Sequence, residues 1–425
     1  MMAVVAGIFL LFLLLGAPIC MAMGISVVPY FILEPTVSGI TVAQKMFTTC
    51  DSFSLMAIPF FMLAGNIMEH AGIISEMIRW AGCLVGHLKG GLAHTATVAG
   101  VILAGVSGSA NADAAALGSM LLPTMKRSGY DEGFSVVCIS TAAGLGPIIP
   151  PSINMVIFAS ICGLSTGTLF TCGIIPGLLM ACCYLGYNYW YATKAGMKSG
   201  KFCGMATLLK TTKEAFFALL MPIIIVGGIL GGIFTPTEAG VAACLYGIIY
   251  GFVTKTLNLK SLHECAVGAG ISTTGCMSVI MVSTTLSYAL ARLGLVKAVE
   301  GFCHQYIATA FMFMLFVVII NVISGCFIDA NAWMMMMVPI LWPIMLTYGI
   351  DPWQFALVFI ISLLTGGITP PVGMYLMIIC GVDGTPIQKT FKYVIPFMLL
   401  ELFVVLLIML FPAIPTFLPS LMGMI

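Results

Sequence analysis

Two stretches, Gly144-Leu-Gly-Pro-Ile-Ile-Pro-Pro151 and Thr365-Gly-Gly-Ile-Thr-Pro-Pro371, set a diproline behind glycines in a chain almost without charge, the second copy 220 residues after the first. Proline has no N–H and its ring blocks the helical bond, so the carbonyl four residues back loses its partner. Inside a bilayer such a gap is tolerated only where the freed groups face protein or a water-filled cavity. One helix broken at the same point in each half of a chain therefore predicts carbonyls and helix ends free to hold an ion or a solute.

Composition supports the membrane reading. Charged residues make up 7% of the 425 positions, against about 25% in a typical soluble domain, and the mean hydropathy is +1.14. Residues 133–193, 215–237, 301–328, 330–350 and 402–425 contain no Asp, Glu, Lys or Arg, and each run is long enough for a span of about 20 residues. The first 33 residues are also uncharged; the run is too long for a signal peptide, lacks a basic start, and reads as the first transmembrane helix. A net charge of +1 leaves no basic face for nucleic acid. Positive charge gathers instead at Lys194, Lys198, Lys201, Lys210 and Lys213, which by the positive-inside rule predicts a cytoplasmic loop over 194–213. None of the fifteen cysteines forms a Cys-x-x-Cys pair and most lie in apolar runs, where they act as small hydrophobes.

The halves align at an offset of 220: Pro123 meets Pro343, Gly129 meets Gly349, Asp131 meets Asp351, Gly146 meets Gly366, Ile148 meets Ile368, and the diprolines coincide. Ser107-Gly108 meets Ser324-Gly325 at an offset of 217. In each copy an apolar run, a small polar interruption and a second apolar run precede the diproline helix: 92–106, Ser107-Gly-Ser-Ala-Asn-Ala-Asp113 and 114–125, then 308–323, Ser324-Gly-Cys-Phe-Ile-Asp-Ala-Asn331 and 332–345. Runs of about 15 residues are short for a full span, so each pair predicts a re-entrant helical hairpin with a polar tip facing the broken helix. Spacing alone leaves open whether the repeats are parallel or inverted.

Atom types suggest what that meeting point holds. Na⁺ takes oxygen ligands, and the carbonyls of Gly144, Gly146 and Pro147 with the side chains of Ser107, Ser109 and Asn111 offer an oxygen cage; Ser324, Gly325, Thr365, Gly366 and Thr369 offer another. Asp113 and Asp329 flank the tips, and an acid at membrane depth, costing about 2.5–3.5 kcal/mol on insertion scales, needs a partner or a purpose. Plainer readings stand beside these: Ser-Gly-Ser can be a close-packing face, and either Asp can cap a helix N-terminus. Glu238, in Thr-Glu-Ala-Gly, reads as a capping acid in preference to a site residue. No His-Glu-x-x-His, hydrolase elbow or phosphate loop occurs and the five histidines are scattered, so nothing points to an enzyme, an ATP-driven pump or an organic cofactor. Gly227-Gly228 and Gly231-Gly232 lie in an uncharged span and read as helix packing.

The run Asp51-Ser-Phe-Ser-Leu-Met-Ala-Ile-Pro-Phe-Phe-Met-Leu-Ala-Gly65, the tip Ser107-Gly-Ser-Ala110, Pro147-Ile-Ile-Pro-Pro-Ser152, Phe234-Thr-Pro-Thr-Glu-Ala-Gly240 and Ile368-Thr-Pro-Pro-Val-Gly373 occur in this order. Together they resemble the large, DctM-type membrane subunit of the tripartite ATP-independent periplasmic (TRAP) transporters, and the resemblance covers essentially the whole chain. It implies Na⁺-coupled import of an organic acid of the C4-dicarboxylate, sialic acid or sugar-acid class. The acid would be delivered by a periplasmic binding protein and carried across the bacterial inner membrane by an elevator movement.

The implied fold is an all-α polytopic membrane protein with two repeats, each a re-entrant hairpin plus a broken helix. Residues 1–88 and 174–300 would be scaffold, 89–173 and 301–385 the two transport elements, and 386–425 a C-terminal scaffold helix. Since no helices precede the span beginning at Met1, the small four-helix membrane subunit is expected as a separate chain. By resemblance, Ser107, Gly108, Asn111 and Gly144, Gly146 and Pro147 match one Na⁺ region, and Gly325, Asp329, Thr365, Gly366 and Thr369 the other. Ser107, Ser109, Asn111, Asp113, Pro150, Ser152, Thr369 and Pro370 are the expected substrate contacts. Ser362 stands where many relatives carry Asn, and Val338 precedes Pro339 where Thr is common. The alternative is a stand-alone ion-gradient anion antiporter of similar architecture, working without a binding protein.

Overall fold

The computed structural model describes residues 1–34, 37 and 39–425, and among them it contains helices and no strand beyond one isolated bridge between Lys89 and Ser199. The chain opens with α1 (Met2–Leu14), α2 (Ile19–Leu33), α3 (Gly39–Cys50), α4 (Ala57–His70) and α5 (Ile73–Val85), the last two meeting at a 70° bend. The first repeat is α6 (Gly91–Ser107), α7 (Ala110–Arg127), α8 (Glu132–Ala143) and α9 (Ile153–Cys162). Between the repeats run α10 (Thr166–Lys194), α11 (Met205–Leu230), α12 (Pro236–Val253), α13 (Leu259–Arg292) and α14 (Leu295–Tyr306). The second repeat is α15 (Ala310–Gly325), α16 (Ala330–Thr347), α17 (Pro352–Gly367) and α18 (Met374–Asp383), followed by α19 (Phe391–Leu410) and α20 (Ala413–Leu421). Six helices are long and apolar enough to cross a membrane, or seven counting α4 with α5 as one bent span. The short apolar helices include the first arm of each hairpin and all four halves of the broken helices.

The aligned residues of the two repeats do the same local work. Asp131 and Asp351 cap α8 and α17: Asp131 Oδ1 accepts from Gly133 N at 2.9 Å, and Asp351 Oδ1 from Gln354 N at 2.8 Å. Pro123 and Pro343 lie within the second hairpin arms, α7 and α16. Thr235 and Glu238 form a reciprocal capping box at the start of α12, so Glu238 is a capping acid.

The repeats are inverted. At the start of α8, Glu132 pairs with Lys389 at 2.6 Å and Asp131 with Lys392 at 3.5 Å, so the entry of α8 lies beside the residues that follow α18. Lys126, at the end of α7, pairs with Asp383, the last residue of α18. At the opposite end, the Phe158 ring of α9 lies 6.4 Å from Phe355 at the start of α17. The path α8 to α9 therefore runs against α17 to α18, which no spacing argument could decide.

The first-repeat hairpin arm α6 packs on α5 and α11, and the second-repeat arm α16 packs on α13. α4 packs on α12 and α13, α2 and α3 pack on α13, and α11 packs on α5 and α12. α10 packs on α6, α9, α19 and α20, while α19 packs on α8 and α17. α10 and α19 thus lie against the repeat elements.

In the second repeat α15 and α17 touch backbone to backbone. A Cβ on Gly366 would sit 2.5 Å from the Gly325 Cα and 2.7 Å from the Val322 carbonyl. Small residues at a membrane helix crossing let van der Waals contact and Cα–H contacts replace the hydrophobic drive that lipid removes. Gly366→Ala is expected to lower stability by about 1–3 kcal/mol, whereas Gly227→Ala, whose Cβ would meet nothing within 4 Å, leaves it unchanged; thermal unfolding of the detergent-solubilised protein reads both.

Candidate functional site

Both hairpin tips and both helix breaks border one cavity of about 520 Å³. The first repeat contributes Gly108 to Ala112 from its tip with Pro147, Ile153 and Asn154 from its break, and the second contributes Gly325, Ile328 to Asn331, Leu363, Gly367, Met374 and Tyr375. The opposite wall is Met62 of α4 with Ser272, Gly275, Cys276 and Val279 of α13. No Lys, Arg or His lines it, and Asp329 is its single acid.

In the first repeat the tip closes on the break through the backbone. Ile153 N donates to the Gly108 carbonyl at 3.3 Å, and Gly108 turns with φ +60, where an added Cβ would meet the Pro151 carbonyl at 2.4 Å. Ser107 Oγ donates to Asp113 Oδ1 at 2.6 Å and accepts from Ser109 N at 3.3 Å. Asp113 is 2% exposed, and its Oδ2 has no hydrogen-bond partner. That oxygen lies against the break: a Cβ on Gly146 would come within 2.5 Å of it.

Pro150 and Pro151 remove the N–H groups that would have reached Gly146 and Pro147. Ser152 Oγ donates to the Pro147 carbonyl at 2.5 Å and accepts from Met155 N at 3.2 Å, capping α9. The carbonyls of Gly144 and Gly146 receive no hydrogen bond among the described residues. Behind the first tip a carboxylate oxygen and a hydroxyl thus lie against Gly146, in a segment whose Gly144 and Gly146 carbonyls are unpaired among the described residues.

The second repeat is not a copy at this level. Asp329 Oδ1 accepts from Asn331 N at 3.0 Å and Ala332 N at 3.3 Å, so it caps α16, while Asp113 caps nothing. The carbonyls of Thr365 and Gly366 are partly engaged: Thr369 Oγ1 donates to Thr365 at 2.7 Å and Thr369 N to Gly366 at 2.9 Å. Ile368 N also donates to the Thr365 carbonyl, at 3.4 Å, and Gly325 packs on Gly366. Of the residues expected in the second region, Gly325 meets Gly366 and Thr369 bonds Thr365 and Gly366, while Asp329 is taken up by the start of α16.

Of the expected substrate contacts, Ser109 and Asn111 line the cavity; Asn111 Nδ2 lies 3.5 Å from Met374 Sδ. Ser107, Asp113, Pro150, Ser152, Thr369 and Pro370 do not line it. Ser107 and Asp113 turn to each other behind the tip, and Ser152 turns inward to close its own break. Sequence reasoning missed Asn154, Asn331, Tyr375 and the α13 wall, because a cavity wall assembled from remote helices leaves no local pattern.

Two buried polar clusters were missed as well. Asn321, fully buried on α15, donates to Phe359 O and Ser362 Oγ at 3.1 Å each and accepts from Trp333 Nε1 at 2.9 Å, tying three helices of the second repeat. Ser362 is thereby served by an amide from the neighbouring helix. Glu401 on α19, 4% exposed, accepts from Tyr184 OH of α10 at 2.6 Å and meets the Thr365 hydroxyl. A lone acid in the apolar run 391–410 was the signal that could have found it.

Twenty α-helices and one 3-10 helix among the described residues, with two inverted hairpin-and-broken-helix repeats around a shared cavity, make the architecture of a transporter membrane subunit. The family model of the DctM component of tripartite ATP-independent periplasmic transporters matches residues 6–414, and the chain belongs to this family. It is 36% identical over 97% of its length to the isethionate TRAP transporter permease protein DctMQ of Oleidesulfovibrio alaskensis, of which it spans 66%. It is 32% identical to the C4-dicarboxylate TRAP transporter large permease protein DctM of Rhodobacter capsulatus, covering 99% of both chains. It is 33% identical to the sialic acid TRAP transporter large permease protein SiaM of Vibrio cholerae, covering 96% and 95%. Among solved structures, the Alcanivorax borkumensis YdaH transporter shares the fold, with a TM-score of 0.63 and 14% identity over 96% of this chain and 98% of that one.

Asp329 separates a cap from a ligand by substitution. Asp329→Asn retains an N-cap acceptor and is expected to keep stability, while Asp329→Ala costs about 0.5–2 kcal/mol. Thermal unfolding in NaCl and in KCl reads the cap through stability and the ion through any salt difference that Asn abolishes.

Proposed function

We propose that this chain is the large membrane subunit of a Na⁺-coupled importer of an organic acid, working in the bacterial inner membrane. A separate small four-helix membrane subunit and a periplasmic binding protein complete the assembly. The observation that carries the reading is the single cavity bordered by both tips and both breaks, with a wall of α4 and α13 opposite. An element that carries a solute between two sides needs its site on the surface that slides, and this cavity lies between the repeat elements and the wall of α4 and α13.

Na⁺ fits the first repeat through Asp113, Ser107 and the carbonyls of Gly144 and Gly146, and the second through Gly325, Asp329, Thr365, Gly366 and Thr369. Ion binding would tie each tip to its break and so complete the cavity before the solute enters. An elevator movement would carry the hairpins and broken helices, with α10 and α19 packed on them, past α1–α5 and α11–α14, which touch them through α5 and α11 on α6 and through α13 on α16. The expected basic loop 194–213 is shorter in the structure: Lys194 ends α10, Lys198 and Lys201 lie in the connection, and Lys210 and Lys213 fall in α11; this basic end would face the cytoplasm.

Uptake into proteoliposomes containing all three components tests the coupling. An inward Na⁺ gradient is expected to drive accumulation that ceases when the gradient is removed, and unchanged uptake would sink the proposal. Transport that persists without the binding protein would favour the stand-alone antiporter. Asp113→Asn is expected to raise the Na⁺ concentration for half-maximal uptake by about tenfold or more, read as the Na⁺ dependence of the initial rate.

A further inference from the structure

We infer that Asn154 and Tyr375 determine which organic acid the cavity takes, each hydrogen-bonding an oxygen of the solute; this rests on the proposed import function and names the side chains that read its substrate. Both line the cavity, and both are more than nine-tenths buried, at 6% exposed each. Neither side chain forms a hydrogen bond among the described residues, yet neither has a polar atom sealed from open space. The Asn154 amide and the Tyr375 hydroxyl therefore keep open surface, and what they border is the cavity.

Other polar side chains of the wall are placed differently. Asp329 is engaged with the start of α16, and Asn111 and Ser272 are exposed, where water serves them. A buried amide or hydroxyl is costly to leave unpaired, so a solute that displaces water from the cavity has to satisfy Asn154 and Tyr375. With no Lys, Arg or His on the wall, the oxygens of an acid take their hydrogen bonds from neutral donors, and the Asn154 N–H and Tyr375 O–H groups are buried ones. A site built to hydrogen-bond a substrate group rejects an analogue without it, because its own polar atoms are then left unpaired.

The two residues hold matching places in the inverted repeats. Asn154 is the second residue of α9 and Tyr375 the second of α18, the half-helices that follow the two breaks. Both are tied to the first hairpin tip through the residue before them: Ile153 N donates to the Gly108 carbonyl at 3.3 Å, and Asn111 Nδ2 lies 3.5 Å from Met374 Sδ. The Tyr375 ring lies on bare backbone of the second break, since a Cβ on Gly367 would come within 2.6 Å of its Cε2 and 2.8 Å of its Cζ. Groups fixed before the solute arrives lose little freedom on binding.

Succinate, N-acetylneuraminate and gluconate, one probe for each class of the proposed import function, test the pair by calorimetric titration into the purified assembly of the two membrane subunits, in NaCl and in KCl. The wild type is expected to bind at least one of them in NaCl and not in KCl. For that probe Tyr375→Phe and Asn154→Leu, which keep size and remove the hydrogen-bonding group, should each weaken binding about tenfold or more. Without solute both variants should unfold at the wild-type temperature, because the groups removed have no partner within the protein. Wild-type affinity in either variant would overturn the inference and leave the import function standing, as would affinity lost together with the stability of the empty protein. Binding as tight in KCl as in NaCl that the variants still weaken would remove Na⁺ coupling and leave the pair standing. Failure of the wild type to bind any of the three in either salt would overturn both.

Discussion

Backbone hydrogen bonds left unmade inside the bilayer govern this molecule. Lipid offers no donors or acceptors, so every peptide group at that depth must find its partner within the protein or at a wetted surface. Pro150, Pro151, Pro370 and Pro371 break that rule locally, and the fold answers by bringing a hairpin tip to each break. Ser152 returns its hydroxyl to Pro147, Thr369 does the same for Thr365, and Ile153 reaches across to Gly108. In the first repeat the Gly144 and Gly146 carbonyls and Asp113 Oδ2 stay unpaired among the described residues, at positions that do not line the cavity.

Inversion of the repeats follows from the same demand. Breaks that approach from opposite directions can meet at one depth and present four half-helix ends to a shared space, whereas parallel copies would stack their tips toward one surface. The ionic cluster of Lys126, Glu132, Asp383 and Lys389 fixes one end of this arrangement. Aromatic contacts among Phe158, Trp342, Phe355 and Phe359 fill the other. Charge is affordable where water reaches, and rings fill the volume where it does not.

Much of this was legible because proline, glycine and aspartate act through the backbone. The diprolines, the aspartates capping α8 and α17 and the tips at Ser107 and Ser324 are local statements, and the repeat alignment found them. The direction of the repeats was not legible, since it depends on which helix ends meet in space. Nor were the Asn321 network, the Tyr184 to Glu401 bond and the α13 wall, which join residues up to 217 positions apart.

The two repeats divide labour where their sequences part. In the first, Asp113 is one turn too late to cap α7 and turns to Ser107, so its carboxylate is spent on the ion region and the helix end stays open. In the second, Asp329 stands at the cap itself, so its charge is spent on α16 while the open end passes to α18, whose cap position is Gly373. Displacing one acid by four residues from the cap position leaves the start of α7 bare where the start of α16 is capped.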